Sequence, residues 1–391
     1  MSDRWNRLPL LKRFPPVPRP EDYRSPLHST RLAAIAGAGL GVCVLVCFLT
    51  GLYSHFLQHP LSWLPLPRRP VWIYGLTQGI HVATGIAAIP LLGLKLWVVT
   101  PRFWRRLTGK SLSARAIDAL ERLSVLVLIA SVAFELISGL LNVAEFYPWS
   151  FFFPAVHFAV APVAIGAILI HLAVKLPAIR SRIDRGPGPT VPQEKSTLSR
   201  RGLILTGAAA VGAVTVATVG DRISGLADVS VLAQRSGAGP QGLPVNRSAA
   251  AAGVRGPATD PGYRLTIVRE GRPVKDFDLA GLARLPQSTV SLPIACVEGW
   301  TRYGAWTGPS LAQVLAAAGI EATGVQVVSL DPGLYGRSAV SAAAAADPLT
   351  LLALRLNGQV LALDHGYPVR LIAPARPGAM QTKWLTRIEV S

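Results

Sequence analysis

Apolar residues along this chain fall into two regimes. Up to about residue 219 they run in long stretches, at 32–56, 72–99, 123–144, 151–174 and 203–219. A helix needs ~20 such residues to cross the hydrocarbon core of a bilayer. The first four stretches are strongly apolar, whereas the fifth is rich in Gly, Ala and Thr. After about residue 260 the pattern shortens. Residues 263–268 alternate as a strand, 310–318 read as a helix ended by Gly319, and 325–330, 353–356 and 369–373 read as strands. Between the regimes, about 221–260 is Gly-, Ala-, Pro- and Ser-rich, with Arg235, Arg247 and Arg255 scattered through it, and reads as a linker merging into the following domain. The predicted organisation is a four-span membrane domain over 1–180, a cytoplasmic linker with a fifth span over 181–225, and an α+β domain with a β-rich core over 226–391.

Composition agrees with this division. Half of the residues are hydrophobic and only 15% are charged, which excludes a disordered chain. The formal charge of +18 raises nucleic-acid binding, but the aromatic-interleaved basic face such a partner needs is absent. The cations instead flank apolar runs. They gather before Arg31, in the loop carrying Arg102, Arg105, Arg106, Lys110 and Arg115, and from Lys175 to Arg201, while 57–71 and 145–150 hold only Arg68 and Arg69. The positive-inside bias then puts the N-terminus in the cytoplasm and the residues after span five outside.

Histidine is the informative residue within the spans, because ionisable groups in hydrocarbon are expensive and usually face a cofactor or cavity. His157 and His171 share span four, and at 100° per residue they lie on one face within about 40°, separated by ~21 Å along the axis. That is one histidine per leaflet. His81 lies at the outer depth and His28 at the inner. The segment Tyr23-Arg24-Ser25-Pro26-Leu27-His28, the span end Phe48-Leu49-Thr50-Gly51-Leu52 and this histidine set resemble the cytochrome b subunits of respiratory formate dehydrogenases and hydrogenases. The resemblance implies a four-helix haem bundle holding two haems b, the outer between His81 and His157 and the inner between His28 and His171, exchanging electrons with quinone or quinol. His55 and His59 stay unassigned. Glu135 admits two readings, proton uptake beside a quinone or a helix–helix hydrogen bond. Lys95 and Lys175 sit where snorkelling explains them. Cys43 and Cys47 read as packing residues, so the three cysteines imply no disulfide framework.

Cys296 is the one cysteine outside the first span. A lone thiol is ordinarily a small buried hydrophobe, but its surroundings, Ala295-Cys296-Val297-Glu298-Gly299-Trp300 continued through Thr301-Arg302-Tyr303-Gly304-Ala305-Trp306, resemble the cysteine loop of the sulfite-oxidase-fold molybdenum enzymes, especially their sulfoxide-reductase branch. A second block matches as well, Leu363-Asp364-His365-Gly366-Tyr367-Pro368-Val369-Arg370 followed by Thr382-Lys383-Trp384. The resemblance covers roughly 240–391 and implies a sulfite-oxidase-like fold holding molybdenum-molybdopterin. Cys296 would ligate molybdenum. His365, Arg370 and Lys383 would anchor the pterin phosphate, Trp384 would pack beside it, and Asn246 and Asp331 would contact the pterin. Arg302, Arg337 and Tyr303 are the candidate substrate-pocket residues.

Such a cofactor is inserted in the cytoplasm, so its domain must be exported folded. Ser199-Arg200-Arg201-Gly202-Leu203-Ile204-Leu205 resembles a twin-arginine export signal, with an ordinary basic helix flank as the alternative. Without a persuasive cleavage site, the fifth helix would remain as an anchor in the bacterial inner membrane, in contact with lipid and having used the twin-arginine export machinery. The expected enzyme reduces a small S-oxide or N-oxide with quinol electrons. Oxidation of sulfite toward quinone, and a non-catalytic exported binding module, are the alternatives.

Overall fold

The computed structural model describes residues 22–390 except 24, 26, 62, 65, 105–110, 150, 152, 184–198, 220–228, 233–238 and 335. The cations before residue 22, Arg105, Arg106, Lys110, Arg235 and much of the Lys175–Arg201 segment lie outside the described residues. Five helices carry the apolar stretches: α1 (Thr30–Gln58), α2 (Ile73–Phe103), α3 (Leu112–Val143), α4 (Phe153–Ile183) and α5 (Arg200–Val219). Each contains a window long and apolar enough to cross a membrane. The serine of the Ser-Arg-Arg sequence has a local task, since Ser199 Oγ accepts from Gly202 N at 3.0 Å and so caps the first turn of α5.

The chain forms two compact units, one of Met1–Val44, Gly85–Ser138 and Phe151–Val214, the other of Leu45–Thr84, Gly139–Ser150 and Thr215–Ser391. The dividing line runs through α1, α2, α3 and α5. Their ends at 45–58, 73–84, 139–143 and 215–219 group with the β-rich residues, whereas the sequence alone suggested a boundary in the linker.

Within the second unit, α6 (Arg255–Ala258), β1 (Leu265–Arg269), β2 (Arg272–Phe277), α7 (Leu279–Arg284), β3 (Ser288–Ala295), β4 (Thr301–Gly308), α8 (Leu311–Ala317), β5 (Val325–Ser329), β6 (Arg337–Val340), α9 (Ala342–Ala345), β7 (Leu351–Ala353), β8 (Arg355–Leu356), β9 (Gln359–Val360), β10 (Arg370–Ile372) and β11 (Leu385–Val390) follow in order. One sheet runs β2-β1-β11-β5-β6, a second β3-β4-β8-β9, and β10 pairs with β7. Among the described strands β1 and β11 pair in parallel, and the remaining ladders are antiparallel. Leu265 and Ile267 of β1, Val327 of β5 and Ile388 of β11 join Leu311, Val314 and Leu315 of α8 in the main core. The i, i+3, i+4 spacing on α8 gives it a single apolar stripe. Ser310 accepts from Gln313 N at its start, Gln313 Oε1 accepts from Ser310 N in return, and Gly319 at φ 74° follows its end.

Two expectations need correction. Residues 353–356 divide between two strands, β7 pairing with β10 and β8 with β4 and β9. Ala353 and Leu356 are buried while Arg355 between them is exposed. Residues 239–260 are also more than a linker, because Ala249, Ala252, Val254 and Ala258 pack with Trp384. Small apolar residues read as linker by composition, yet here they let the backbone lie close to the indole.

Candidate functional site

Residues 296–300 form the tight connection between β3 and β4, closed by Cys296 N donating to Trp300 O at 2.9 Å and Gly299 N to Cys296 O at 3.1 Å. Gly299 takes φ 105°, a conformation open to glycine. Cys296 is 1% exposed. Its Sγ lies 3.2 Å from Glu298 Oε2, the same oxygen that accepts from Trp300 Nε1 at 3.0 Å, and Asn246 Nδ2 approaches Sγ at 3.6 Å. Burial, and then the Glu298 charge, push the thiol well above its ordinary range. A metal that binds there must displace the thiol proton. No group of three or more His, Cys, Asp or Glu among the described residues could hold a metal ion unaided, so a metal on Cys296 needs ligands from outside the chain.

Beside it lies a cluster rich in cations. Gly366, at φ 108°, is the pivot, since a Cβ there would stand 3.0 Å from Lys383 Cβ and 3.2 Å from Arg370 Cβ. Arg370, 3% exposed, donates from Nη1 to His365 O at 3.1 Å and lies 5.3 Å from the Trp306 ring centroid. Its buried Nε has no hydrogen-bond partner among the described residues. His365 Nε2 donates to Pro240 O at 2.6 Å, and Lys383 Nζ donates to Arg247 O and Asp364 O at 2.8 Å each. Lys383 also lies 5.1 Å from the Trp384 ring. Burial pulls Arg370 down to about 9. Burial, then Arg370, pull Lys383 down to about 7 and His365 to about 4. The nearest acid, Asp364, uses Oδ1 to accept from Ala249 N at 2.8 Å. Buried cations that outnumber their acids, with an unsatisfied guanidinium Nε among them, fit a phosphate-bearing group. Arg370 lies over the Trp306 ring, and Trp306 shares a buried cluster with Cys296, so the two sequence blocks meet at one site.

The other candidates are placed as follows. Asp331, 5% exposed, forms a two-pronged ion pair with Arg247, at 2.8 Å through Nε and 3.1 Å through Nη2. Asn246 faces Cys296 while its neighbour Arg247 faces Asp331. Arg302 is exposed and donates to Thr301 O at 3.0 Å. Tyr303 is 51% exposed. Arg337 pairs with Glu389 across the sheet. Trp384, at φ 51°, donates from Nε1 to Leu363 O at 2.7 Å. Glu298 and Arg247 escaped sequence reasoning, although one lies inside the quoted cysteine loop and the other adjoins Asn246.

In the helices, His28 Nδ1 lies 3.2 Å from Val98 O and its ring 4.6 Å from that of Trp97. His81 Nδ1 lies 2.9 Å from Cys47 O and 3.1 Å from Thr50 Oγ1. His157 has side-chain partners at both nitrogens, Ser138 Oγ at 2.9 Å from Nδ1 and Glu135 Oε2 at 3.0 Å from Nε2. Glu135 therefore makes a helix–helix contact. His171 is half-buried.

Comparison with known proteins bears on the C-terminal residues. Residues 253–391 match the family described as oxidoreductase molybdopterin binding domain. The mitochondrial sulfite oxidase of Drosophila melanogaster is 33% identical over 158 residues, 33% of this chain and 27% of the relative. That of Rattus norvegicus is 34% identical over 166 residues, 34% of this chain and 30% of the relative. The protein-methionine-sulfoxide reductase catalytic subunit MsrP of Burkholderia mallei is 33% identical over 141 residues, 32% of this chain and 43% of the relative. The chain thus spans less than half the length of these relatives. Its C-terminal part is an enzyme domain that binds molybdopterin, in place of the non-catalytic module held as an alternative. The domain is of the sulfite oxidase/MsrP type. Asn246 and Arg247 precede the matched residues, as do all five long helices.

Proposed function

We propose that this protein is a membrane-anchored reductase of a small S-oxide or N-oxide, drawing electrons from quinol through haems b in the helical part. The observation that carries the reading is the buried Cys296 beside the His365–Arg370–Lys383 cluster. Cys296 Sγ would hold molybdenum, and Arg370 and Lys383, with the His365 imidazole beside them, would hold the pterin phosphate. The bound group supplies two-electron oxygen-atom transfer.

Electrostatics around the thiol favours a neutral substrate. Glu298 brings a carboxylate to 3.2 Å from Sγ, and the charge of Arg337 is matched by Glu389. A sulfite-like anion would meet repulsion from Glu298, with Arg302 to offset it at the surface and the Arg370 and Lys383 charges engaged by the pterin phosphate. Tyr303, half-exposed, would face the entering substrate. The likeness to MsrP and to sulfite oxidases is compatible with either electron direction, and the Glu298 carboxylate supports the neutral substrate that reduction would use.

Support for haem in the helices comes from His28 and His81. Each sets Nδ1 against a backbone carbonyl, which fixes the tautomer that leaves Nε2 as the basic, iron-binding nitrogen. His157 would serve only if Glu135 released its Nε2. His171 would complete the inner pair. The Ser199-Arg200-Arg201 sequence would direct export, leaving residues 226–391 outside a bacterial inner membrane.

The decisive experiment follows haem absorbance in the purified protein. After anaerobic reduction with a quinol analogue, methionine sulfoxide should reoxidise the haem, and Cys296→Ser should abolish this. Failure to reoxidise with molybdenum present, together with haem reduction on adding sulfite, would establish the reverse direction.

A further inference from the structure

The tip of the β3–β4 hairpin carries Cys296, and residues from the helical part grip the carbonyl of the next residue. Val297 O accepts from Gln78 Nε2 of α2 at 3.2 Å and from Asn142 Nδ2 of α3 at 3.2 Å. A carbonyl oxygen has two lone pairs, so these two amides satisfy it fully. All of these residues belong to the second compact unit. Gln78 is 8% exposed, and a buried side-chain amide is retained where its donors are used.

Three further observations converge on the same contact. A Cβ on Gly75, one turn before Gln78 on α2, would lie 3.2 Å from Thr301 Oγ1, 3.3 Å from Thr301 Cγ2 and 3.8 Å from Ala295 Cβ. Glycine therefore lets α2 seat directly on the two residues that flank the cysteine loop. Tyr147 Oη donates to Asn142 Oδ1 at 3.4 Å, which turns the amide so that its NH2 faces Val297 O. Burial, then Glu298, Glu145 and Cys296, push the Tyr147 phenol up to about 12, so this ring stands within electrostatic reach of the thiol. Val71, just before α2, packs against the cluster holding Cys296 and Trp300.

We infer that Gln78 and Asn142 are positioning residues for Cys296: the helix ends complete the metal-binding loop by clamping Val297 O, and Tyr147 orients the clamp. The β-rich domain thus depends on α2 and α3 for the geometry of its own ligand. His81 follows Gln78 by one turn of α2, so the clamp also joins a candidate haem ligand to the candidate molybdenum ligand through one helical turn and one hydrogen bond. The inference rests on the proposed function only for the role given to Cys296.

The test reads the loop directly, by the rate at which iodoacetamide labels Cys296 in the full-length, cofactor-free protein, quantified on the peptide containing it. In Gln78→Leu/Asn142→Leu the rate should rise roughly ten- to thirty-fold, the factor for losing two buried hydrogen bonds from a local opening equilibrium. Arg69→Ala, which breaks the 3.0 Å ion pair of Arg69 with Asp347 without touching the loop, should leave the rate unchanged. The milder Gln78→Met, which cannot donate and adds no charge, should give an intermediate rise and covers the case of a double variant that does not fold, as judged by circular dichroism. Unchanged labelling in the folded variants, or an equal rise in Arg69→Ala, would overturn the clamp. Molybdenum content of the wild-type protein, measured in parallel, tests the functional reading separately.

Discussion

Gly366 lies against Lys383 so closely that a Cβ added to it would stand 3.0 Å from Lys383 Cβ and 3.1 Å from Lys383 Cα. This approach brings Lys383 beside Arg370, since a Cβ on Gly366 would also stand 3.2 Å from Arg370 Cβ. Gly366→Ala would add that clash to the strain of φ 108°, which costs about 1–3 kcal/mol for a non-glycine residue. Chemical denaturation should show a loss of that size, and the pterin released from purified protein should fall with it.

Arg370 separates stability from cofactor binding. Its guanidinium is buried without an ion pair among the described residues, so Arg370→Met should leave the cofactor-free protein no less stable, because an unpaired buried charge is itself unfavourable. Retention of the cofactor should fall roughly tenfold or more, the loss of a charge-assisted hydrogen bond to phosphate. Parallel melting curves and pterin assays would check both halves.

Lys383 and His365 make the cofactor-free protein sensitive to pH. Lys383 titrates at about 7 when folded against an ordinary 10.5. Between those values the unfolded chain holds a proton that the folded chain lacks, so stability rises with pH across the window and the penalty is complete below about 7. His365, at about 4 against 6.5, contributes a second rise at lower pH in the same sense. Denaturation midpoints should climb from about pH 7 to pH 10 in the parent protein, and Lys383→Met should lose the part of the rise below about pH 9, where Arg370 begins to contribute. A dianion binding beside Lys383 should take up protons above pH 7, which calorimetry in buffers of different ionisation enthalpy would detect.

Ser310→Ala tests the scaffold away from the site. Removing the reciprocal cap between Ser310 and Gln313 should destabilise the folded protein by about 1 kcal/mol, with cofactor content unchanged, as read by denaturation and metal analysis.

Much of the architecture was legible in the residue pattern because it depends on local periodicity. The five apolar stretches became α1 to α5, and the stripe Leu311, Val314, Leu315 with its cap became α8. The cysteine loop and the His-Gly-Tyr-Pro-Val-Arg block were recognisable as motifs because their glycines and cation spacing are consecutive in sequence. The segment 353–356 misled because a short alternation of buried and exposed residues does not say which sheet each end joins. The residues around Ala249 misled because small side chains look alike in a linker and against an indole.

Sequence alone thus determined the five long helices, α8 and several of the strands, where the thiol and the cation-bearing block lie, and that the chain joins an apolar helical part to an α+β domain. Periodicity, capping and charge act over a few residues, and they write themselves into the order of the chain. Tertiary structure alone decided that Glu298 shares its carboxylate between Cys296 and Trp300, that Arg247 takes Asp331, that Glu135 meets His157, and that Gln78 and Asn142 converge on Val297. Those pairings are hydrogen bonds of about 3 Å, several of them between residues distant in sequence. Their formation depends on how sheets and helices pack, which no local pattern encodes.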